Sequence, residues 1–247
     1  MKNIIIKLLP FLFIAFNSSA QTEAKTQEIT FKTRDSITIS ATFEIPKTES
    51  KSIPAIILIH QGGSSREEWK SLKLWNNLLA KGYAVLAYDI RIHGKSSKDK
   101  GDLYDLFNNP NRAPLDLLAA ITFLENQKEI DSHRIGIIGA SVGANLACVA
   151  AASKDYNIKS VVSISAKTEA VQNLSSSTKE LKLKNAFHIA SKKEQNGKRA
   201  LWAHELFSKT TGSKKVEIAS GDKHGSYILS EHEYLQQQIL DWFKETI

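Results

Sequence analysis

The chain has 247 residues, 42% hydrophobic and 24% charged, enough for one domain with a large core. Its formal charge of +7 falls to about +5 (7 − 2) without Lys2 and Lys7, and its lysines are scattered. With no basic run interleaved with aromatics, nucleic acid is not an expected partner; modest affinity for acidic surfaces is all this charge supports. Cys148 is the only cysteine, which excludes an intramolecular disulfide.

The first twenty residues read apart from the rest. Lys2 supplies positive charge, residues 4–16 are apolar apart from Lys7, and Ser18, Ser19 and Ala20 are small. That is the pattern of a secretory signal peptide, with cleavage expected after Ala20 and a periplasmic or secreted product. The apolar run is short for a membrane-spanning helix and interrupted by charge, so no stable insertion is expected after cleavage; an uncleaved anchor is the alternative. Residues 21–27 read as a flexible polar leader, and 28–247 as one domain.

Within that domain, residues 29–33 and 37–45 alternate apolar and polar around Arg34-Asp35-Ser36, predicting a hairpin of two half-exposed strands. A polar linker over 46–54 precedes a continuous apolar run over 55–59, the mark of a strand buried on both faces. Trp69, Leu72, Leu74, Trp75, Leu78 and Leu79 predict a helix over 66–81, stopped by Gly82. A strand follows over 83–88, then a long loop and a helix over 113–127. Strands at 135–138, 161–165, 186–190 and 216–219 come next, interleaved with helices after 141, near 198–208 and from about 231. Repeated βα units require a mostly parallel sheet with helices on both faces. The opening hairpin adds antiparallel strands at one edge.

Between the strand at 135–138 and its helix lies Gly139-Ala140-Ser141-Val142-Gly143, a G-x-S-x-G in the strand–turn–helix setting of a nucleophile elbow. Residues two before and two after the serine come close together, and glycine at both removes the clashing Cβ atoms. The helix N-terminus then points at any anion forming beside the hydroxyl. The competing reading is a glycine-rich turn that only packs strand on helix.

A nucleophilic serine needs a base, an orienting acid and two N–H donors. His224, in Gly221-Asp222-Lys223-His224-Gly225 after the last predicted strand, lies at the sheet edge where such sites gather and is the candidate base. The acid should follow a strand between the elbow and His224. Glu194 is the first carboxylate after the strand at 186–190; Glu169 is the fallback, and Asp222 is too near His224 on a tight loop. Glu194 also reads as a plain surface carboxylate among lysines. Val142 supplies one N–H and Gln61 or Gly62, in the loop after residue 59, the other; that loop also reads as a simple turn capped by Ser64 or Ser65.

Three motifs, His60-Gln61-Gly62-Gly63, Asp89-Ile90-Arg91-Ile92-His93-Gly94-Lys95-Ser96 and Gly139–Gly143, together resemble those of the α/β-hydrolase superfamily across the mature chain. The resemblance implies an α/β-hydrolase fold in which the middle motif, similar to the family's D-x-R-G-H-G-x-S turn, braces the site. Gln61 stands where many members have Gly, Ile92 replaces the usual Gly, and Glu194 stands where Asp is commoner. Only about twenty residues separate the strands flanking 166–185, too few for a cap domain. The chain is most similar to small capless dienelactone-hydrolase-like serine esterases, with Tyr104 and Phe107 of the 90–112 loop as candidate pocket wall.

The resulting expectation is a cofactor-free, metal-free serine hydrolase cleaving a small-molecule carboxylic ester through an acyl-enzyme on Ser141. A thioesterase on the same residues is one alternative; a non-catalytic binding protein that keeps the fold is the other.

Overall fold

The computed structural model describes residues 25–98, 101–176 and 180–247. The proposed signal peptide and most of the leader lie outside them. Among the described residues no helix is long and apolar enough to cross a membrane.

Among the described residues eight strands form one sheet in the order β1-β2-β4-β3-β5-β6-β7-β8. They are β1 (Lys25–Lys32), β2 (Thr38–Ile45), β3 (Ile53–Ile59), β4 (Ala84–Tyr88), β5 (Ile130–Ala140), β6 (Ser160–Ile164), β7 (Leu183–Ser191) and β8 (Thr210–Ala219). β1 and β2 are antiparallel to their neighbours and all other pairs are parallel. This is an α/β-hydrolase fold with no cap domain evident. β1 begins at Lys25, so the polar residues 25–27 pair in the sheet with Ile45, Glu44 and Phe43.

The continuous apolar strands are buried because both faces are covered. Along β3, Ile57 and Ile59 enter one core cluster with α4 (Ala113–Glu125) and α5 (Val142–Ala152). Ile56 and Leu58 enter the other, against α1 (Glu67–Lys70), α2 (Lys73–Ala80) and α9 (Tyr234–Thr246). Each such side chain contributes about 1.5–3 kcal/mol by leaving water. Cys148, on α5, is fully buried, and burial pushes its thiol up to about 12.

Two expectations shift and one helix is added. The single helix over 66–81 is two, because Leu72 adopts an extended conformation between α1 and α2. The closing helix expected from about residue 231 is α9, and a further short helix, α8 (Tyr227–Glu231), precedes it. β2 is not half-exposed but lies inside the sheet, and its polar Ser40 and Thr42 are buried. They are satisfied by Arg66, which donates to Thr42 Oγ1 at 3.0 Å and Ser40 Oγ at 3.1 Å. The same guanidinium pairs with Glu28 (2.6 Å) and Asp89.

The turn after β4 is tied down at both ends. Asp89 accepts the N–H groups of Arg66 and Lys95, and Ser96 Oγ donates to the Asp89 carbonyl at 2.6 Å. Gly94 is required here: its φ is +49°, and a Cβ would lie 2.1 Å from Asp89 Oδ2. Ile92 adopts φ +63°, a left-handed conformation strained for a β-branched residue, so its replacement of glycine has a conformational cost. Arg91, fully buried, donates from Nε to Asp116 Oδ1 at 2.9 Å and from Nη1 to Asp35 Oδ2 at 2.8 Å. This network holds the turn to α4 and to the β1–β2 hairpin.

Candidate active site

Left-handed backbone follows the C-terminal ends of three adjacent strands: Ser141 (φ +53°) after β5, Ser165 (φ +63°) after β6, and Gln195 and Asn196 (φ +48° and +55°) after β7. Such conformations persist only where surrounding contacts enforce them. Ser141 N–H extends the ladder to Ile164 O and Ser165 N–H to Ile189 O, both at 2.8 Å. The elbow glycines are sterically dictated. A Cβ on Gly139 would lie 2.0 Å from the Gly143 carbonyl oxygen, and one on Gly143 would lie 2.2 Å from that of Ile59. Val142 is the first residue of α5, so its N–H has no acceptor within the helix.

Glu194 and His224 are brought together: His224 Nδ1 lies 2.5 Å from Glu194 Oε1. Glu194 is 4% exposed, which removes the reading of a solvated surface carboxylate. Its other oxygen accepts Ser165 Oγ–H at 2.7 Å, and Ser165 Oγ in turn accepts Gly225 N–H at 3.1 Å. One hydroxyl therefore ties the acid to the histidine loop. Arg199, on α7 (Lys198–Ser208), places Nε 3.2 Å from Glu194 Oε1 as an ion pair off the hydrogen-bond line, and its Nη1 donates to Ser165 O at 2.7 Å. Burial lowers the Arg199 pKa, and the Glu194 charge opposes that fall. Gly225 approaches the elbow directly, since a Cβ there would lie 3.6 Å from that of Ala140. No hydrogen bond joins Ser141 to His224 among the described residues; such contacts commonly tighten only with substrate bound.

The fallback acid lines the cleft onto which Ser141 opens, but no hydrogen bond or ion pair joins it to His224 among the described residues. Glu169, at the start of α6 (Thr168–Leu174), has a side chain 69% exposed and pairs with Lys167 at 2.6 Å.

Counting the N–H groups of the loop after β3 separates its two candidate donors. Gln61 N–H donates to Glu68 Oε1 at 3.1 Å, Gly63 N–H to His93 Nε2 at 3.1 Å, and Ser64 N–H to Gln61 O at 3.3 Å. Of the two candidates, Gly62 keeps its N–H uncommitted among the described residues, so Gln61 is withdrawn as a donor and Gly62 remains. Two imidazoles fix this loop. His60 Nδ1 donates to Gln61 O at 2.7 Å while its Nε2 accepts Ile90 N–H at 2.9 Å. Burial lowers its pKa to about 4, so it stays neutral in that role. His93 bridges Gly63 to Arg91 O.

Ser141 opens onto a cleft of about 330 Å³ walled by Tyr104, Phe107 and Trp202, with Asn145, Lys167 and Arg199 among its polar lining. Tyr104 and Phe107 thus lie where the loop pattern places them. Trp202 sits under both cations, 5.1 Å from Arg199 and 5.8 Å from Lys167. Ser165, Arg199, Trp202 and Glu68 escaped the sequence reading. Only Ser165, a polar residue directly after a buried strand, carried a local signal.

Comparison with known proteins agrees with this architecture. The alpha/beta hydrolase fold family matches residues 54–224. A curated relative, an uncharacterised 31.7 kDa protein of Escherichia coli, is 32% identical over 126 residues, 51% of this chain and 41% of that protein. The chain therefore spans about two fifths of that relative's length. An esterase of Pyrococcus furiosus superposes with a TM-score of 0.71 at 21% identity, covering 90% of this chain and 93% of the esterase. A dienelactone hydrolase of Anabaena variabilis gives 0.68 at 18% identity, covering 92% of this chain and all of the other. At these identities the superpositions speak to fold. With the family match spanning most of the chain, from residue 54 to residue 224, the protein belongs to the alpha/beta hydrolase fold family.

Proposed function

We propose that this protein is a serine hydrolase that cleaves carboxylic esters through an acyl-enzyme on Ser141. The observation that carries the reading is the 2.5 Å contact between His224 and a buried Glu194, on loops packed against a serine held at φ +53°. Family membership and the esterase and dienelactone hydrolase neighbours support hydrolase chemistry on this fold.

In this mechanism the Ser141 hydroxyl attacks the ester carbonyl carbon while His224 Nε2 takes its proton. Glu194 accepts the Nδ1–H and stabilises the imidazolium. The carbonyl oxygen becomes an oxyanion held by the N–H groups of Val142 and Gly62. His224 returns the proton to the departing alcohol, leaving the acyl group on Ser141. Water, deprotonated by His224, then attacks the acyl carbon, and as the acid departs His224 returns the proton to Ser141 Oγ. The open cleft suits a small ester whose apolar part lies along Tyr104, Phe107 and Trp202. The same groups would serve a thioester.

The N-terminal residues 1–20 support export, with cleavage after Ala20; N-terminal sequencing of the mature protein tests this. For the chemistry, a fluorophosphonate probe should label the native protein and neither Ser141→Ala nor heat-denatured protein. A well-folded protein that takes no label and hydrolyses none of a panel of nitrophenyl esters would overturn the enzyme reading in favour of a binding protein.

A further inference from the structure

Glu68 has no part in the mechanism above, yet its carboxyl stands between the two loops that carry it out. It belongs to α1, a single turn anchored by Trp69, which is 1% exposed, and it reaches back seven residues to accept Gln61 N–H at 3.1 Å. The hydroxyls of Ser64, from the oxyanion loop, and Ser226, from the histidine loop, face the same carboxyl, and His224 lies near enough to influence it. Its second oxygen, Oε2, is buried and makes no hydrogen bond of good geometry among the described residues. Burial pushes the Glu68 pKa up to about 7. The two loops are also tightly packed: a Cβ on Gly225 would lie 2.1 Å from Gln61 Oε1.

A carboxyl kept part-buried at such a cost, with one oxygen outside any hydrogen bond of good geometry, is poorly explained as a stabilising surface charge. Its one hydrogen bond of good geometry falls on a backbone N–H that would otherwise compete for the substrate oxygen. Resting on the hydrolase reading above, we propose that Glu68 is a positioning residue: by occupying Gln61 N–H it fixes the oxyanion loop so that Gly62 alone faces the reacting carbonyl, and it sets that loop against His224. Glu68 touches no reacting atom. It acts through the loop, so its loss should be felt when the tetrahedral intermediate forms and not when substrate binds.

The test compares Glu68→Gln, which keeps an acceptor oxygen at the same reach, with Glu68→Leu, which removes it, and Glu68→Asp, which keeps the charge but falls short by about 1.5 Å. With 4-nitrophenyl acetate, Gln should retain kcat within about threefold of wild type. Leu and Asp should each lose on the order of 30-fold or more in kcat with KM changed less than about threefold, the signature of an interaction made in the transition state. The rate of fluorophosphonate labelling should fall in parallel. Should Leu fail to fold, Asp against Gln still decides. If folded Leu or Asp keeps kcat within twofold of wild type, or if Gln falls as far as they do, the role assigned to Glu68 is wrong while the Ser141 reading stands. If wild type itself hydrolyses no ester and takes no label, both fall together.

Discussion

Replacing Glu194 by Gln probes the site where its geometry is most constrained. Two donors and an ion pair converge on this carboxylate: His224 at 2.5 Å and Ser165 at 2.7 Å donate, and the Arg199 guanidinium lies at 3.2 Å. An amide offers one acceptor oxygen and one NH2 group. If its oxygen faces His224, its NH2 meets Ser165 Oγ, which already accepts Gly225 N–H and must redirect its own proton. The imidazole can then stay in place, but the charge that stabilises the imidazolium is gone. Amidating the acid of a serine protease triad costs about 10⁴-fold in kcat, roughly 5 kcal/mol of barrier. Arg199 also loses its buried counter-ion, which should destabilise the fold by about 3 kcal/mol. Glu194→Asp withdraws the carboxylate by about 1.5 Å, beyond hydrogen-bond reach of His224, and should cost at least about 100-fold. The assay is kcat on a nitrophenyl ester, alongside thermal unfolding and far-ultraviolet circular dichroism. Glu169→Gln is the control and should stay within about twofold, since that exposed side chain pairs with Lys167 alone among the described residues. A folded Glu194→Gln variant within tenfold of wild type would refute this account of the acid.

Three further changes test the scaffold. Gly139→Ala should lower stability by about 2–3 kcal/mol in urea unfolding, because its Cβ would meet the Gly143 carbonyl oxygen at 2.0 Å and backbone must shift; an unchanged midpoint would contradict the steric reading of the elbow. Asp116→Asn should cost about 1.5–3 kcal/mol by removing one of the buried charges paired with Arg91, which keeps Asp35, and equal stability would mean that Asp35 suffices as counter-ion. Burial lowers the pKa of His60 to about 4 and of His188 to about 3, against about 6.5 when unfolded. Between those values the unfolded chain binds more protons, so the stability present above pH 6.5 is lost as pH falls, by up to about 2.7 kcal/mol per pH unit for the two together. His188→Gln should remove about half of that slope, and calorimetry across pH 7 to 4 will show whether it does.

Much of this was legible because it is local. A buried strand, a G-x-S-x-G and a small-residue helix specify the elbow from fourteen consecutive residues, and His224 and Glu194 follow from their places after particular strands. What could not be read is what depends on how loops cross in space. Arg199 looks like a surface helix residue until the left-handed turn at 195–197 folds its helix back over Glu194. Ser40 and Thr42 look solvent-facing by alternation, and only Arg66, more than twenty residues later, makes them interior. The apolar spacing of 69–79 runs unbroken through a chain that does not, since Leu72 is extended between the two helices. Gln61 and Gly62 were indistinguishable until Glu68 claimed one of their N–H groups.

The buried thiol of Cys148 has a practical consequence. With its side chain fully buried in the core and its pKa raised to about 12, it presents almost no thiolate to reagents at neutral pH. The native protein is therefore a blank background for cysteine-directed labelling, and a single new cysteine would be chemically unique. Placed at Tyr104, which is 71% exposed on the wall of the cleft, it could carry a fluorophore reporting movement of that wall as an ester enters. The catalytic groups would remain untouched, and motion and turnover could be followed in the same sample.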